Sequence, residues 1–387
     1  MDADKLEVLL NGLLQREPRA SELNFTPGCL PHAEVDGSLR PIPIGSRTEP
    51  LNGDQVARIA KGLLRDSPAL LRTLEETGAA DCAYETATGR RFRINVFRVK
   101  GNVAVVMRAL AADLPSLKGL GLPPVVGEIA KLQQGLALVT GATGSGKSTT
   151  LAAIVDRINE HRPVHVVTLE DPVEFAHPHK KAIINQRELL LDFSNFADGL
   201  RSALRQAPKV ILVGEMRDSE TVEIALKAAE TGHLVLSTLH TINAGQTVNR
   251  ILNMFSGDAR QLVRVRLAET LRFVVAQRLM PRVGQGRVAA IEVMGTSLRV
   301  RELITNGEEA DRTFQAAIED GKPQGWQSFD QHIVELFRTG QVTDETARAY
   351  CTDASSVNRA IDRVKTERGE DTSDLGELEM ARPRIRR

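Results

Sequence analysis

Gly141-Ala-Thr-Gly-Ser-Gly-Lys-Ser-Thr149 decides the fold of this 387-residue chain, because the stretch matches the pattern G-x-x-x-x-G-K-[ST] in full. In such a loop the backbone N–H groups approach the phosphates of a nucleotide closely, since glycine has no Cβ and tolerates positive φ. Lys147 is suited to the β- and γ-phosphates, and the Ser148 hydroxyl is suited to Mg²⁺. We expect the nucleotide to be bound by the whole loop: Gly141, Ala142, Thr143, Gly144, Ser145, Gly146, Lys147, Ser148 and Thr149.

The sequence on either side of the loop supports the same interpretation. Residues 136–140 are mostly apolar and predict a buried strand, whereas Leu151, Ile154, Val155 and Ile158 recur at helical spacing after the loop. A strand, a glycine loop and a helix in this order are the context that the motif requires. The alternative, a flexible Gly/Ser turn, does not account for that context.

The composition is balanced, with 50 basic and 50 acidic residues, and gives no indication of nucleic acid or an anionic membrane as a partner. Cys29, Cys82 and Cys351 have no metal-ligand spacing and predict no disulfide framework, which fits a reducing cytoplasm. Residues 1–7 lack the apolar core of a signal peptide, and no run approaches about 18 apolar residues, so we expect no transmembrane helix. A link to a membrane would then run through a partner protein.

Residues 1–111 predict a small α+β domain with an antiparallel sheet. Helices are expected over 3–16 and 53–77, with a break at Pro68, and three strands are expected to follow. The domain contains no metal-ligating or nucleophilic constellation. Residues 112–124, which are rich in proline and glycine, are expected to form a linker.

Residues 125–297 alternate between strands and helices, which predicts a mostly parallel sheet with helices on both faces. The expected strands are 136–140, 164–169, 209–214, 234–239 and 287–293, and the expected helices are 148–160, 194–206, 219–231, 244–255 and 258–279. Ligands of such sheets bind at the carboxyl ends of the strands, so we expect the polar residues after four of these ends to form one site. These residues are 141–149, 170–174, 214–215 and His240.

Residues 298–367 predict a C-terminal helical region. Ser328 and Gln331 have the spacing of a capping box, and Gly340 predicts the end of a helix. Residues 368–387 are charged, contain proline and show no periodicity, so we expect them to form a disordered tail.

Hydrolysis of a nucleotide needs a carboxylate that orients or deprotonates water, and two residues are candidates. Glu215 ends an apolar strand, a position where an acid ordinarily serves the Mg²⁺ shell directly or through water. Glu174 belongs to a second acidic cluster, Glu170-Asp-Pro-Val-Glu174. Surface acids that only solvate a loop are the alternative, but both candidates lie just beyond apolar strands on the nucleotide edge.

Two histidines flank the strand 234–239 at its opposite ends, roughly 20 Å apart. His240 follows the carboxyl end and is the better candidate for the active site, whereas His233 at the other end suits packing or an interface. For a lone histidine, a structural role is more common than a catalytic one, and that alternative stays open for both.

The γ-phosphate needs positive charge in the transition state, and the core offers little of it. Arg217 follows the third strand of the core closely, and no other arginine of the core is placed to reach the phosphate. Arg91, Arg93 and Arg108 lie on predicted strands of the N-terminal domain, from which any of them could act in trans on a neighbouring subunit. Solvated arginines on an edge or outer face of the sheet are an equal alternative.

Taken together, these motifs resemble the secretion and pilus traffic ATPases, and most closely the type IV pilus retraction ATPases of twitching motility (PilT/PilU type). The resemblance covers about residues 20–340 and rests on six segments: the Walker A loop 141–149, the aspartate box Thr168-Leu-Glu-Asp-Pro-Val-Glu-Phe175, Asn185-Gln-Arg-Glu188, the Walker B segment Val210-Ile-Leu-Val-Gly-Glu-Met-Arg-Asp218, the histidine box Thr231-Gly-His-Leu-Val-Leu-Ser-Thr-Leu-His-Thr241, and Arg91-Phe-Arg-Ile-Asn95. The chain lacks the four-cysteine metal motif of many assembly relatives, which argues against the extension-motor branch. Residues 298–307 match the C-terminal helix motif of the retraction family only loosely.

The resemblance implies an α/β fold in which a small PAS-like α+β domain precedes a RecA-like P-loop ATPase core with C-terminal helices. It also implies a hexameric ring, with the nucleotide bound between the N-terminal domain and the core. By similarity it assigns catalytic roles to seven residues: Glu174, Glu215, His233, His240, Arg91, Arg93 and Arg108. Glu174 would be the catalytic carboxylate and Glu215 the Walker B acid near Mg²⁺, while one or two of the arginines are expected at the γ-phosphate across an interface.

The implied function is an ATP-hydrolysing hexameric motor that powers pilus retraction by acting on an inner-membrane platform protein, with ATP and Mg²⁺ as its ligands. The protein would be cytoplasmic and peripheral at the inner membrane through its partners, which could include other pilus ATPases. The alternatives within this class are an accessory retraction paralogue and a secretion-system traffic ATPase. A nucleotide-binding regulator is disfavoured by the intact Lys147, Glu174 and Glu215, and a RecA-like nucleic-acid translocase by the neutral charge.

Overall fold

The computed structural model describes residues 3–43, 49–65, 67–110 and 113–370 of the chain. Two sheets organise these residues: a six-stranded antiparallel sheet in the N-terminal part and a seven-stranded mixed sheet in the part that carries the glycine loop. Separate clusters of buried apolar side chains cover the two sheets, so each part has a core of its own. The α/β fold class expected from the sequence is confirmed.

The N-terminal part packs its helices against its sheet around one apolar cluster. Its elements are α1 (Ala3–Arg16), β1 (Glu22–Phe25), β2 (His32–Val35), β3 (Ser38–Pro41), α2 (Gly53–Leu63), α3 (Pro68–Thr77), β4 (Ala79–Glu85), β5 (Arg91–Val99) and β6 (Asn102–Ala109). Pro68 begins α3, where its missing N–H costs no hydrogen bond. The strand order β3-β2-β1-β6-β5-β4 leaves β4 at one edge of the sheet.

The core has the alternating order that the sequence predicts, beginning with a short 3₁₀ segment, Pro124–Lys131. Its elements are β7 (Gly135–Thr140), α4 (Lys147–His161), β8 (His165–Glu170), β9 (Ile183–Glu188), α5 (Phe196–Leu204), β10 (Val210–Val213), α6 (Ser219–Glu230), β11 (Leu234–Leu239), α7 (Ala244–Leu252), α8 (Gly257–Thr270), β12 (Leu271–Pro281) and β13 (Arg287–Gly295). The strand order is β13-β12-β7-β11-β10-β8-β9, and neighbouring strands are parallel except for β12 and β13. The carboxyl ends of β7, β8, β10 and β11 therefore meet at one edge.

The prediction of a single helix over 258–279 is wrong. α8 ends at Thr270, and the chain continues directly as β12, which lies between β7 and β13. Val274, Val275 and Ala276 are all fully buried there. A strand that is buried on both faces forms a continuous apolar run, which periodicity cannot distinguish from a buried helix. As a strand, β12 brings the polar side chain of Gln277 to the glycine loop.

No strand is expected from the sequence at residues 183–188, whereas the structure places β9 there as an edge strand parallel to β8. Exposed Ile183 is followed by buried Ile184, and the remaining residues of the strand are polar. A short strand of mixed polarity has little hydrophobic periodicity to reveal it. β9 ends at Glu188, whose side chain is buried.

The C-terminal region is helical, as predicted, and consists of α9 (Leu298–Asn306), α10 (Phe314–Asp320), α11 (Phe329–Arg338), α12 (Asp344–Tyr350) and α13 (Ala354–Glu367). The capping box of Ser328 and Gln331 at the start of α11 is confirmed. Arg368 donates to the carbonyl oxygens of Phe337 and Arg338, at 2.9 and 3.0 Å. Residues 368–370 of the tail predicted for 368–387 thus continue directly from α13, and residues 371–387 lie outside the described part.

Most of the expected linker is described and lies against the core. Leu122 is buried in an apolar cluster of the core, and Leu117 and Leu120 pack against that cluster. Residue 112 falls outside the described part. Within the described ranges, no helix combines the length and the apolar character needed to cross a membrane.

Candidate active site

A cavity of about 570 Å³ opens at the edge where the sequence predicts the site. Its lining includes Lys147 and Ser148 of the glycine loop, Glu170 at the end of β8 and Glu174 after it, Glu215 and Arg217 after β10, Thr238 and His240 at the end of β11, Arg287 of β13, and Arg93 of β5. The four strand ends named from the sequence thus meet in one cavity, as predicted. The N-terminal part adds an arginine to the same cavity.

Lys147 begins α4 and is held by its own loop. Its Nζ donates to the carbonyl oxygens of Gly141 and Ala142, at 2.8 and 3.1 Å. Burial lowers the pKa of Lys147 below its ordinary value, while the charges of Glu215 and Glu174 oppose that shift. The first N–H groups of a helix have no partner within the helix, so the start of α4 suits a phosphate.

Gln277 of β12 supports the glycine loop, a role that the sequence does not indicate. Its Nε2 donates to the carbonyl oxygen of Ser145 at 2.5 Å, and its Oε1 accepts from the Thr150 hydroxyl at 2.8 Å. Gly141 has a φ of 147°, and a Cβ there would lie 2.4 Å from the Gln277 carbonyl oxygen, so the close approach of β12 requires glycine. In the sequence, Gln277 is noticeable only as a polar residue that interrupts an apolar run. Because that run was assigned to a helix, its position beside the glycine loop was not predicted.

Glu215, His240 and Lys147 form a chain of contacts across the cavity. Oε1 of Glu215 lies 3.3 Å from Nε2 of His240, and Nδ1 of His240 lies 3.5 Å from Nζ of Lys147. A neutral imidazole with its hydrogen on Nε2 fits both contacts, because it donates to the carboxylate and accepts from the ammonium. Arg217 donates from Nε to the other oxygen of Glu215, at 2.8 Å. The carboxylate of Glu215 is therefore oriented from two sides.

Residues 171–175, named the acid segment here, follow β8 and carry Glu174, which lines the cavity. Glu170, the last residue of β8, accepts hydrogen bonds on Oε1 from Thr168 at 2.6 Å and from Gln186 at 3.0 Å. Burial raises the pKa of Glu170. Because Glu170 is engaged by two donors inside the protein, the arrangement favours Glu174 as the acid of this pair that meets a ligand.

Two side chains, one buried and one largely buried, anchor the acid segment. Arg91 of β5 donates from its two Nη atoms to the carbonyl oxygens of Val173 at 2.6 Å and of Glu174 at 3.1 Å. Glu188 of β9 accepts from the N–H of Val173 at 3.2 Å and from the N–H of Ala83 in β4 at 2.8 Å. Arg91 therefore faces the backbone of its own chain, which differs from the expected place at a neighbour's γ-phosphate. The sequence indicated Glu188 only as part of a family motif.

The other predicted residues divide between the site and more distant positions. Among the described residues that line the cavity are Arg93 and His240, whereas Arg108 and His233 do not belong to the lining. The Arg108 side chain is 74% exposed and lies 3.3 Å from Glu22. His233 precedes β11 at the opposite end of the sheet, where its Nδ1 lies 3.0 Å from the carbonyl oxygen of Ala228. The length of β11 separates the two histidines, as the sequence predicts.

A magnesium ion would have to share its ligands with the nucleotide. Among the described residues, no group of three or more His, Cys, Asp or Glu side chains is arranged to hold a metal ion by itself. Mg²⁺ bound with a nucleotide needs few protein ligands, because phosphate oxygens and waters complete its shell. The hydroxyl of Ser148 and the carboxylate of Glu215 both line the cavity, and both are the hard oxygen donors that Mg²⁺ prefers. These residues fit the expected ion.

The fold and the site define a class of protein. The glycine loop follows the central strand β7, acids follow the neighbouring strands β10 and β8, and a histidine follows β11, which lies between β7 and β10; this arrangement is a P-loop ATPase core. The chain belongs to the family described as "Type II/IV secretion system protein", whose sequence model matches residues 86–290. The protein is accordingly an ATPase.

Individual relatives resemble the chain over most of its length. The "Type IV pilus retractation ATPase PilT" of Pseudomonas aeruginosa strain PAO1 is 40% identical over 329 residues, which cover 85% of this chain and 93% of the relative. The "Type IV pilus ATPase PilU" of the same strain is 35% identical over 349 residues, 90% of this chain and 89% of the relative. The "Crystal Structure of the Pilus Retraction Motor PilT and Bound ADP" matches with a TM-score of 0.78 at 39% identity, over 92% of this chain and 98% of that one. The resemblance stated from the motifs is confirmed.

Proposed function

We propose that this chain is a motor ATPase that powers the retraction of type IV pili. The observation that carries the proposal is the single cavity that joins Lys147, Glu174 and Glu215 of the core to Arg93 of the N-terminal part. A phosphate cradle, two acids and an arginine from a second domain suit phosphoryl transfer that is coupled to domain movement. The similarity to a pilus retractation ATPase supports the retraction branch.

In the proposed reaction the glycine loop binds the phosphates of ATP, and Lys147 moves from the carbonyl oxygens of its own loop to the β- and γ-phosphates. Glu174 orients and deprotonates the attacking water, because it lies in the cavity beside the phosphate cradle. Mg²⁺, when bound near Ser148 and Glu215, neutralises negative charge on the phosphates. His240 holds the carboxylate of Glu215 by the contact described above.

The proposed assembly is a homo-hexameric ring in which an arginine of one N-terminal domain completes the site of a neighbour. Arg93 lines the cavity of its own chain, and the exposed Arg108 is open to a neighbouring subunit. His233 would serve such an interface from the opposite end of β11. The division into domains at 1–111, 112–124, 125–297, 298–367 and 368–387 is part of the same proposal.

The proposed partners are an inner-membrane platform protein and other pilus ATPases, with the chain in the cytoplasm and at the membrane only through them. An accessory retraction role is the second candidate, because the chain also resembles PilU of P. aeruginosa at 35% identity. A secretion-system role is the third, since the family includes such proteins.

Deleting the gene from its host tests the proposed function. A retraction motor is needed to withdraw pili and not to build them, so the deletion should abolish twitching while surface pili remain. Wild-type chain should restore twitching, and the Lys147→Ala variant should not. Loss of surface pili on deletion would indicate an assembly motor and contradict the proposal. Unchanged twitching with impaired retraction under load would indicate the accessory role.

A further inference from the structure

The acid segment is attached to the rest of the molecule by contacts that cross between the two domains. Its backbone at Val173 is engaged on both sides: the carbonyl oxygen accepts from Arg91, and the N–H donates to Glu188. Arg91 belongs to β5 of the N-terminal domain, and Glu188 reaches back to that domain through Ala83. The position of Glu174, the next residue, is therefore tied to the N-terminal domain.

The guanidinium of Arg91 is well suited to hold two carbonyl oxygens at once. Its planar fork presents parallel N–H donors, which a single ammonium group cannot reproduce. The side chain is only 12% exposed, and a carboxylate oxygen of Glu85 lies 3.5 Å from its Nε. Because the donors are largely shielded from water, each hydrogen bond has few competing partners.

Glu188 joins the two domains through a single carboxylate. The residue is 7% exposed, and each of its oxygens accepts one backbone N–H, Oε1 from Ala83 and Oε2 from Val173. A second hydrogen bond between the two domains lies close by. The Ser67 hydroxyl of the N-terminal domain donates to the Leu190 carbonyl oxygen of the core at 3.3 Å. Leu190 and Leu191 also pack against the apolar cluster of the N-terminal domain. The end of β9 is thus the docking point of that domain on the core.

We propose that Arg91 and Glu188 are positioning residues that couple the orientation of the N-terminal domain to the position of the Glu174 carboxylate. If the domain rotates on the core, these hydrogen bonds either carry the backbone of Glu174 along with the domain or break and leave that backbone without its support. The inference rests on the proposed catalytic role of Glu174. Through this coupling, movement of the N-terminal domain changes the hydrolysis step directly, while the glycine loop keeps its position.

The test uses two conservative substitutions in the full-length chain. Arg91→Lys replaces the fork by one ammonium, and Glu188→Gln replaces one acceptor oxygen by a donor that faces a backbone N–H. Both should lower kcat by about 10- to 100-fold, since a displacement of about 1 Å at a reacting group has an effect of this size. The KM for Mg·ATP and the Kd for ADP should change by less than about threefold, because the glycine loop is held by other residues.

A matched control comes from the same strand. Arg98 of β5 donates to the Leu74 carbonyl oxygen within the N-terminal domain, so Arg98→Lys repeats the chemical change away from the acid segment. Its kcat should equal that of the wild type. An equal loss of kcat in Arg98→Lys, or a parallel loss of ADP binding in Arg91→Lys and Glu188→Gln, would reduce both residues to general stabilisers of the domain and overturn the inference.

A second measurement separates this inference from the assignment of Glu174. Single-turnover hydrolysis is compared for Arg91→Lys, Glu174→Gln and the double variant. If Arg91 acts through Glu174, the double variant should be no slower than Glu174→Gln alone, because residues that act as a unit are not additive. Additive losses would overturn the coupling. Wild-type hydrolysis by Glu174→Gln would instead overturn the role of Glu174, on which the coupling rests.

Discussion

The two halves of the nucleotide cavity are supported in different ways. The glycine loop is held entirely by the core, through Gln277 of β12 and through the Lys147 contacts within the loop itself. The acid segment is held by Arg91 of the N-terminal domain and by Glu188, which bonds to both domains. The glycine loop is therefore fixed within the core, whereas the acid segment is fixed across the interface between the two domains.

The difference separates binding from hydrolysis. A loop that is anchored in the core can bind the phosphates whatever the orientation of the N-terminal domain. An acid segment that is anchored across the joint can align Glu174 only when the domain is correctly placed. An ATPase built in this way can bind ATP before the domain is in place and hydrolyse it at one stage of the movement, which suits a motor.

The largest expected effect is that of Glu174→Gln, which acts on the acid half alone. Loss of the general base should lower kcat by between about 10² and 10⁴. ATP binding should be retained, because the substitution leaves the phosphate cradle intact. Steady-state hydrolysis and the binding of a fluorescent ATP analogue measure the two halves separately. Wild-type turnover in this variant would move the role to Glu215, for which Glu215→Gln is the parallel variant.

Lys147→Ala tests the half of the cavity that the glycine loop forms. Removing a preorganised cation from the phosphates should lower kcat by about 10² to 10³, and it should weaken nucleotide binding as well. The pattern therefore differs from that of Glu174→Gln, in which binding survives. Lys131→Ala is the matched control, because Lys131 is 64% exposed, pairs with Glu128 and is not among the described residues that line the cavity. Turnover that persists in Lys147→Ala would contradict the assignment of the glycine loop.

Gln277→Leu should have a smaller effect than Lys147→Ala, and this effect should be on nucleotide binding. The substitution leaves the buried hydroxyl of Thr150 and the carbonyl of Ser145 without their partner, which should destabilise the fold by about 1–3 kcal/mol. We expect KM for ATP to rise by about tenfold while kcat changes little, the reverse of the pattern for Arg91→Lys. Gln315→Leu on the exposed face of α10 is the control. A selective loss of kcat in Gln277→Leu would break the proposed division between the halves.

The smallest effect on turnover is expected from Glu292→Gln, which concerns neither half. Glu292 of β13 accepts from the N–H of Ala244 at 2.8 Å, and burial raises its pKa from 4.5 to about 7. A carboxyl whose pKa is higher in the folded state stabilises the fold fully below pH 4.5, and this contribution is lost as the pH rises through about 7. The difference between the two pKa values corresponds to about 3 kcal/mol.

Chemical unfolding between pH 5 and 8 measures this dependence. Burial lowers the pKa of His177 and of His332, so these side chains contribute a slope of opposite sign in both proteins. The stability of the wild type relative to Glu292→Gln should therefore fall as the pH rises over this range. Glu335→Gln provides the control, since that side chain is 56% exposed. An unchanged slope in Glu292→Gln would show that another group is responsible.

The sequence predicts the phosphate half of the site almost completely. A glycine loop is a run of consecutive residues, and its strand and helix follow from local patterns at 136–140 and 151–158. Glu174, Glu215 and His240 were also found, because each follows a strand whose end lies at the same edge. These features depend on the chain immediately before and after them.

The supports of the site could not be found in the same way. Gln277 bonds to a residue 132 positions away, Arg91 to one 83 positions away and Glu188 to one 105 positions away. No local pattern specifies such pairs, because they follow from the way in which separate elements pack. The helix assigned over 258–279 shows the same limit, since only the neighbouring strands make residues 271–281 a strand.

The carboxylate of Glu188 has a second consequence, which concerns solubility. β4 lies at the edge of its sheet, and an unpaired row of N–H groups on such an edge invites another strand to pair with it. Glu188 occupies the Ala83 N–H of this edge with a buried side chain from the core. The other edge strand, β3, is only four residues long and ends at Pro41, which cannot donate a hydrogen bond. The contact that ties the domains together thus also removes one N–H of this edge from those that another strand could pair with.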